Sequence, residues 1–446
     1  MKLSQVAQAT AGQLVGKDMA FARVSTDTRS IEPGDLFVAL RGERFDAHEF
    51  LSQAAASGAC AALVEKDDDA FDSYVRVADT RIGFGKLAAA WADQFDVVRI
   101  AVTGNAGKTS VKEMIACMLG DQVLATQGNL NNDIGVPLTL LRLNDEHRFG
   151  VFELGANAPG EIAWTSSLVH PVIAMITNVT GAHLEGFGSM QGIADAKSEI
   201  FSGMKEGDTA IINSEDSFAD FFAAQARKQG LVIRRVGFAA DNDAYADQLD
   251  VQRDLSHARL HVDGQVLPMT VPLAGRHQVI NALMAIAAVR DAGVSVAEAL
   301  QRLARLAPVK GRMNLVDCLG GTLVDDSYNA NPGSVRVAID WLKAQPAPRA
   351  LVLGALGELG PTSDDIHREL GRYAAEAGLD HLVVVAAAAP AAQGFGARAQ
   401  QVADATVAAQ AVKDVLEQGG TVLVKGSRSA RMEAVIEALR AMGGQH

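Results

Sequence analysis

Short apolar runs closed by glycine or polar turn residues alternate along this chain with stretches of helical spacing. Positions 36–40 form such a run behind the turn signal Glu32-Pro33-Gly34-Asp35. Positions 50–57 carry helical spacing up to Gly58, and 61–64 is a second short run. A longer rhythm begins near 83. Strands are predicted at 97–102, interrupted only by Arg99, and at 149–154, 172–178 and 209–212, with helices at 109–119, 161–168, 190–201 and 277–288. Beyond Pro308 and Gly311, positions 321–325, 350–353, 381–387 and 421–424 read as strands and 332–342 and 365–377 as helices. Apolar strands alternating with helices imply mainly parallel sheets covered on both faces. The expected fold class is α/β in three domains, at 1–82, 83–308 and 309–446.

Composition agrees with this division and narrows the chemistry. The 446 residues are 48% apolar and 21% charged, enough for two or three cores. A formal charge of −13 leaves no broad basic surface for a nucleic-acid backbone, although a helix terminus can still hold phosphate. Cys60, Cys117 and Cys318 are too far apart for a metal-ligand spacing and are expected to be buried thiols in a reducing compartment. No apolar stretch reaches the roughly 18–20 residues of a membrane-spanning helix. A cytoplasmic monomer is the expectation.

The strongest local signal is an apolar strand running into Gly104-Asn105-Ala106-Gly107-Lys108-Thr109-Ser110 and then a helix. Gly104 and Gly107 permit close approach of backbone N–H groups to anionic oxygens, and the helix adds free amides and its positive end. Lys108 is placed to neutralise outer phosphates and Thr109 to offer a hydroxyl to Mg2+. The loop is shorter than the usual G-x-x-x-x-G-K-[ST] pattern, because Val102 stands where that spacing requires glycine.

Glu153 closes the next apolar strand, at the carboxyl edge where ligands of parallel sheets bind, and its carboxylate suits Mg2+. His183 follows another strand and the turn Thr180-Gly181-Ala182, as a candidate metal or phosphate ligand. Lys197 lies in a helix among Asp195 and Glu199, and its ordinary reading is a solvent-facing lysine.

The ordered set of segments resembles the Mur ligase family, ATP-dependent amide-forming enzymes of bacterial peptidoglycan precursor synthesis. It comprises Thr103 to Thr109, Glu153-Leu154-Gly155-Ala156-Asn157, Ala182-His183-Leu184-Glu185-Gly186-Phe187-Gly188-Ser189 and Ala196-Lys197-Ser198-Glu199-Ile200-Phe201. Asp325-Asp326-Ser327-Tyr328-Asn329-Ala330-Asn331-Pro332 and Lys425-Gly426-Ser427-Arg428 complete it. The resemblance implies a UDP-substrate domain, a central ATPase domain and a Rossmann-like C-terminal domain. It further implies joining of D-alanyl-D-alanine to UDP-N-acetylmuramoyl-tripeptide through an acyl phosphate, with ATP and Mg2+.

By the same resemblance, Gly104, Asn105, Ala106, Gly107, Lys108, Thr109 and Ser110 hold ATP phosphates, with Asn281, Arg312 and Asp326 as further nucleotide contacts. Thr109, Glu153, His183 and Lys197 serve the metal sites, Lys197 as a carbamate. Ser25, Asp27 and Arg29, then Asn131 and Asn132, and Asn329, Lys425 and Arg428 are the implied substrate contacts. One position departs from the pattern: Ala355 stands where that family member commonly has an acidic residue. Another Mur ligase, a folylpolyglutamate-type ligase, or a nucleotide-dependent binding or transport module remain alternatives.

Overall fold

The computed structural model describes residues 1–42, 45–180 and 184–444 and contains three β-sheets flanked by helices. The amino-terminal sheet has five strands, in the order Gln13–Val15, Tyr74–Arg76, Ala61–Val64, Leu36–Val38 and Val24–Ser25. The helix Thr80–Ala92 bridges the first two bodies. It sends Phe84 and Leu87 into the amino-terminal core and Ala88 and Ala92 into the next.

The central sheet has nine strands. Its parallel part runs Val232–Gly237, Thr209–Asn213, Ile173–Ile176, Val98–Thr103, Phe149–Glu153 and Val123–Ala125. Val98–Thr103 lies between Ile173–Ile176 and Phe149–Glu153, so the chain turns to opposite sides of it. Such a reversal opens a crevice at the carboxyl ends of the strands. In register, Val102 faces Glu153 and Thr103 faces Ile176, which brings the loops after all three strands together. Arg99, the charged interruption of the first strand, is buried; its two terminal nitrogens donate to Asp93, the Val169 carbonyl and the Ala92 carbonyl, while its Nε has no hydrogen-bond partner among the described residues.

The sheet is lengthened by Ala244–Val251, which pairs in parallel with Val232–Gly237, and then by Ser256–Val262 and Gln265–Val271, which follow antiparallel; these three strands have no counterpart among the sequence expectations. Ser256–Val262 alternates strictly between buried and half-buried residues, and Asp263-Gly264, both at positive φ, makes the turn. An Asp-Gly pair between alternating strands is the signature of a tight hairpin, and it was legible in the sequence.

The C-terminal sheet is ordered Asn314–Cys318, Gly321–Asp326, Thr421–Lys425, Arg349–Leu353, His381–Val385 and Ala399–Val402, parallel except for the first pair. All three thiols are free, but only Cys318 is buried. Cys60 and Cys117 are partly exposed, a correction to the expectation that all three lie in cores. Among the described residues no helix is long and apolar enough to cross a membrane.

Candidate active site

The loop between Val98–Thr103 and the helix Lys108–Leu119 is braced from the neighbouring strand. Gly104 has φ of 139°, and a Cβ there would stand 1.9 Å from Thr177 Oγ1. Thr177 Oγ1 and Asn178 Nδ2 both donate to the Ala106 carbonyl, while the Ala106 amide donates to Asn178 Oδ1 at 3.0 Å. From below, Asn281 reaches Gly107, where an added Cβ would meet its Oδ1 at 2.9 Å. Asn281 Nδ2 in turn donates to Gln278 Oε1. A Gly104→Ala variant is therefore expected to keep its three sheets, by circular dichroism, and to lose at least about tenfold in ATP affinity by calorimetry, because positive φ and a clash with Thr177 both displace the loop.

The acidic residue and the loop meet directly. Thr109 Oγ1 donates to Glu153 Oε2 at 2.9 Å, and Asn131 Nδ2 donates to Glu153 Oε1 at 2.9 Å. Glu153 is only 3% exposed, and its amide donates to Thr126 Oγ1. From the C-terminal domain, Arg312 donates to Thr109 Oγ1 at 3.0 Å and stacks over the Tyr328 ring. Lys108 Nζ donates back to the Gly104 carbonyl at 2.7 Å. Burial lowers the Lys108 pKa, opposed by Glu153 and reinforced by Arg312.

Lys197 overturns the ordinary reading of a solvent-facing lysine. It is 1% exposed, its ammonium lies 5.6 Å from the Phe187 ring centroid, and burial and then Lys108 push its pKa down to about 7. Glu199, Glu161 and Glu358 oppose that shift. Glu199 is itself occupied, accepting the Gly160 and Ala163 amides at the start of the helix Glu161–Val169. A signal for the burial exists in the sequence: Ile193, Lys197, Ile200 and Phe201 fall at helical spacing on one buried face. His183 lies outside the described residues. Among the described residues no group of three His, Cys, Asp or Glu side chains is arranged to hold a metal ion.

A cleft of about 980 Å³ lies between the loop, the helix Arg276–Asp291 and the C-terminal domain. Asn105, Ala106, Gly107, Ser110, Asn281 and Arg312 line it. Asp326, Asn329 and Lys425 line it as well. Asp326 faces Lys425 in register, so the two form a buried ion pair at the strand ends, and Lys425 also reaches the Asn329 carbonyl at 3.3 Å. Asn329 Oδ1 accepts the Arg428 amide at 3.3 Å, while the exposed Arg428 side chain pairs with Glu433. The Ala355 carbonyl accepts the amide and hydroxyl of Ser427, backbone contacts open to any residue at that position. His277, unremarked in the sequence, also lines the cleft; burial and then Lys425 lower its pKa to about 4, which keeps it neutral near pH 7.

The remaining expected contacts are dispersed. Ser25 is buried and donates to the Asp27 carbonyl, and the Asp27 carboxylate accepts from the Arg29 amide and, between 2.7 and 3.1 Å, from Nε and Nη2 of its exposed guanidinium. Asn132 Oδ1 accepts the Gly135 amide at the start of the helix Gly135–Leu140, whereas Asn131 belongs to the Glu153 cluster.

Residues 21–113, 102–289 and 311–428 match, in turn, the Mur ligase family catalytic domain, the Mur ligase middle domain and the Mur ligase glutamate ligase domain. Over 447 aligned residues the chain is 42% identical to the UDP-N-acetylmuramoyl-tripeptide–D-alanyl-D-alanine ligase of Escherichia coli K12, covering 99% of this chain and 98% of that protein. The chain belongs to the Mur ligase family. Among solved structures, this Mur ligase superposes on MurF from Acinetobacter baumannii with a TM-score of 0.92 at 36% identity, over 98% of each chain. It also superposes on MurF ligase from Thermotoga maritima in complex with ADP, with a TM-score of 0.85 at 29% identity, over 95% of this chain and 98% of that one. The three-domain α/β expectation and the family resemblance are both met, and ATP use follows with the family.

Proposed function

We propose that this Mur ligase joins D-alanyl-D-alanine to UDP-N-acetylmuramoyl-tripeptide at the expense of ATP, in peptidoglycan precursor synthesis. Full-length similarity to ligases named for those substrates supports the specificity. The single observation that carries the chemistry is the Thr109–Glu153 hydrogen bond, which couples the phosphate loop to a buried carboxylate beside the cleft.

The substrate carboxylate attacks the γ-phosphorus of ATP, ADP departs, and an acyl phosphate remains. The amine of D-alanyl-D-alanine then attacks the acyl carbon, phosphate leaves, and the nitrogen loses a proton. Lys108 and the amides that open the helix Lys108–Leu119 would stabilise the charge that develops on the phosphoryl oxygens, while the Asn105 and Ala106 amides are held by Asn178. Gly104, Asn105, Ala106, Gly107, Ser110, Asn281, Arg312 and Asp326 complete the nucleotide site in this reading. The oxygen donors Thr109 and Glu153 suit Mg2+, with His183 and Lys197 as further ligands. Bound Mg2+ would supply charge neutralisation at the transferring phosphoryl group.

A lysine with a pKa near 7 carries free amine at physiological pH. That amine adds to CO2, forming an N–C bond and releasing a proton, and the carbamate exchanges a buried positive charge for an oxygen donor. Native mass spectrometry of the active enzyme reads this as an added 44 Da, and an unmodified Lys197 at full activity would rule it out. Ser25, Asp27 and Arg29 are assigned to the UDP end, and Asn131, Asn132, Asn329, Lys425 and Arg428 to the peptide side, with domains at 1–82, 83–308 and 309–446 in a cytoplasmic monomer. Supplying ATP, UDP-N-acetylmuramoyl-tripeptide and D-alanyl-D-alanine is expected to give the pentapeptide product and ADP. Product with a different amine acceptor only, from the same preparation, would reject the assignment.

A further inference from the structure

Lys112 is among the largest fully buried side chains of the molecule, 1% exposed, and nothing in the reaction described above uses it. It sits one helical turn after Lys108, on the same stripe of the helix Lys108–Leu119 as Ile115 and Leu119. Its ammonium donates to the Thr126 carbonyl at 2.6 Å and pairs with Glu113 at 2.7 Å. A buried ammonium costs several kcal/mol unless paired and hydrogen-bonded, so a plain core position would favour an apolar side chain here.

The position of Thr126 explains the choice of lysine. Thr126 follows the edge strand Val123–Ala125, and its hydroxyl accepts the Glu153 amide at 3.0 Å while its own amide donates to the Val151 carbonyl. Five residues on, the same segment delivers Asn131 to Glu153 Oε1. Three separate segments thus meet at Glu153: the helix that carries Thr109, the segment from Thr126 to Asn131, and the strand Phe149–Glu153. Lys112 ties the first of these to the second through the Thr126 carbonyl.

We propose that Lys112 is a positioning residue for the ligation reaction, holding the Thr126 segment against the phosphate-loop helix so that Glu153 and Thr109 present their oxygens together to Mg2+. This rests on the Mg2+ site assigned to Glu153 and Thr109. Outer contacts of this kind change metal affinity roughly 10- to 100-fold when removed. Lys112→Met keeps the volume and the apolar stem but loses the donor, and Thr126→Val keeps the carbonyl but loses the hydroxyl that holds the Glu153 amide.

The test is calorimetric titration of Mg2+ into the full-length protein with a non-hydrolysable ATP analogue, alongside thermal melts and Glu153→Gln as control. Both variants are expected to raise the Mg2+ dissociation constant roughly tenfold. The double variant is expected to shift it by less than the product of the single effects, because the two residues act through one chain of contacts. A Lys112→Met protein that melts earlier but binds Mg2+ as the parent does would reduce Lys112 to a structural pin and overturn the proposal. Should Lys112→Met fail to fold, Thr126→Val decides alone, and an unshifted Mg2+ titration there overturns it equally. An unshifted Glu153→Gln control would instead reject the underlying metal-site assignment.

Discussion

Replacing Lys197 with methionine is expected to stabilise the protein at pH 6 while abolishing ligation. The sign follows from the depressed pKa, about 7 in the fold against 10.5 for the ordinary group. Between those values the unfolded chain binds more protons than the folded one, so stability rises with pH from about 7 to 10.5. Below pH 7 the full cost of keeping the buried amine protonated is present, on the order of 5 kcal/mol. Methionine fills a similar space, keeps a contact with Phe187 and carries no charge, so it removes that cost. The expected melt at pH 6 shifts upward by several degrees, and the parent's gain in stability between pH 7 and 10 is lost in the variant. Ligation is expected to fall to background, because methionine forms no carbamate. A variant that melts lower at pH 6, with activity preserved, would contradict both the burial and the proposed role.

Glu153→Gln is expected to leave the fold intact and reduce kcat/KM on the order of 100- to 1,000-fold. Glutamine preserves the local contacts: its carbonyl accepts from Asn131, and its amide donates to the Thr109 hydroxyl. What disappears is the negative charge beside Lys108 and Arg312, whose electrostatic influence reaches the same spot. The Mg2+ concentration giving half-maximal ligation is expected to rise, with the KM for the UDP-linked substrate changing little. Steady-state kinetics at several Mg2+ concentrations separates these quantities, and a loss confined to the UDP-substrate KM would place Glu153 in the wrong role.

The legible parts of this molecule were those governed by local pattern. The phosphate loop declared itself by a strand, two glycines and a helix, and Glu153 by its position at a strand end. Its meeting with Thr109 requires only that Val98–Thr103 and Phe149–Glu153 be neighbours in a parallel sheet. The supporting contacts were not legible, because they depend on strand order. Thr177 and Asn178 grip the loop only because Ile173–Ile176 lies on the other side of Val98–Thr103. Arg312 comes from a different sheet altogether, and the Asp326–Lys425 pair results from register between distant strands. Lys197 was the hardest case: its charged neighbours suggested a surface helix, while the spacing of Ile193, Ile200 and Phe201 placed it inward. The Ala244–Val251 and Ser256–Val262 strands were missed although the Asp263-Gly264 turn marked the hairpin that follows.

The most direct measurement follows an oxygen atom. If the cleft beside Lys108 activates a carboxylate by phosphorylation, UDP-N-acetylmuramoyl-tripeptide labelled with 18O in its terminal carboxyl group transfers one labelled oxygen to inorganic phosphate for each amide bond formed. Mass spectrometry of the released phosphate after one turnover with ATP and D-alanyl-D-alanine is expected to show that stoichiometry. Amide product accompanied by unlabelled phosphate would contradict the acyl-phosphate route.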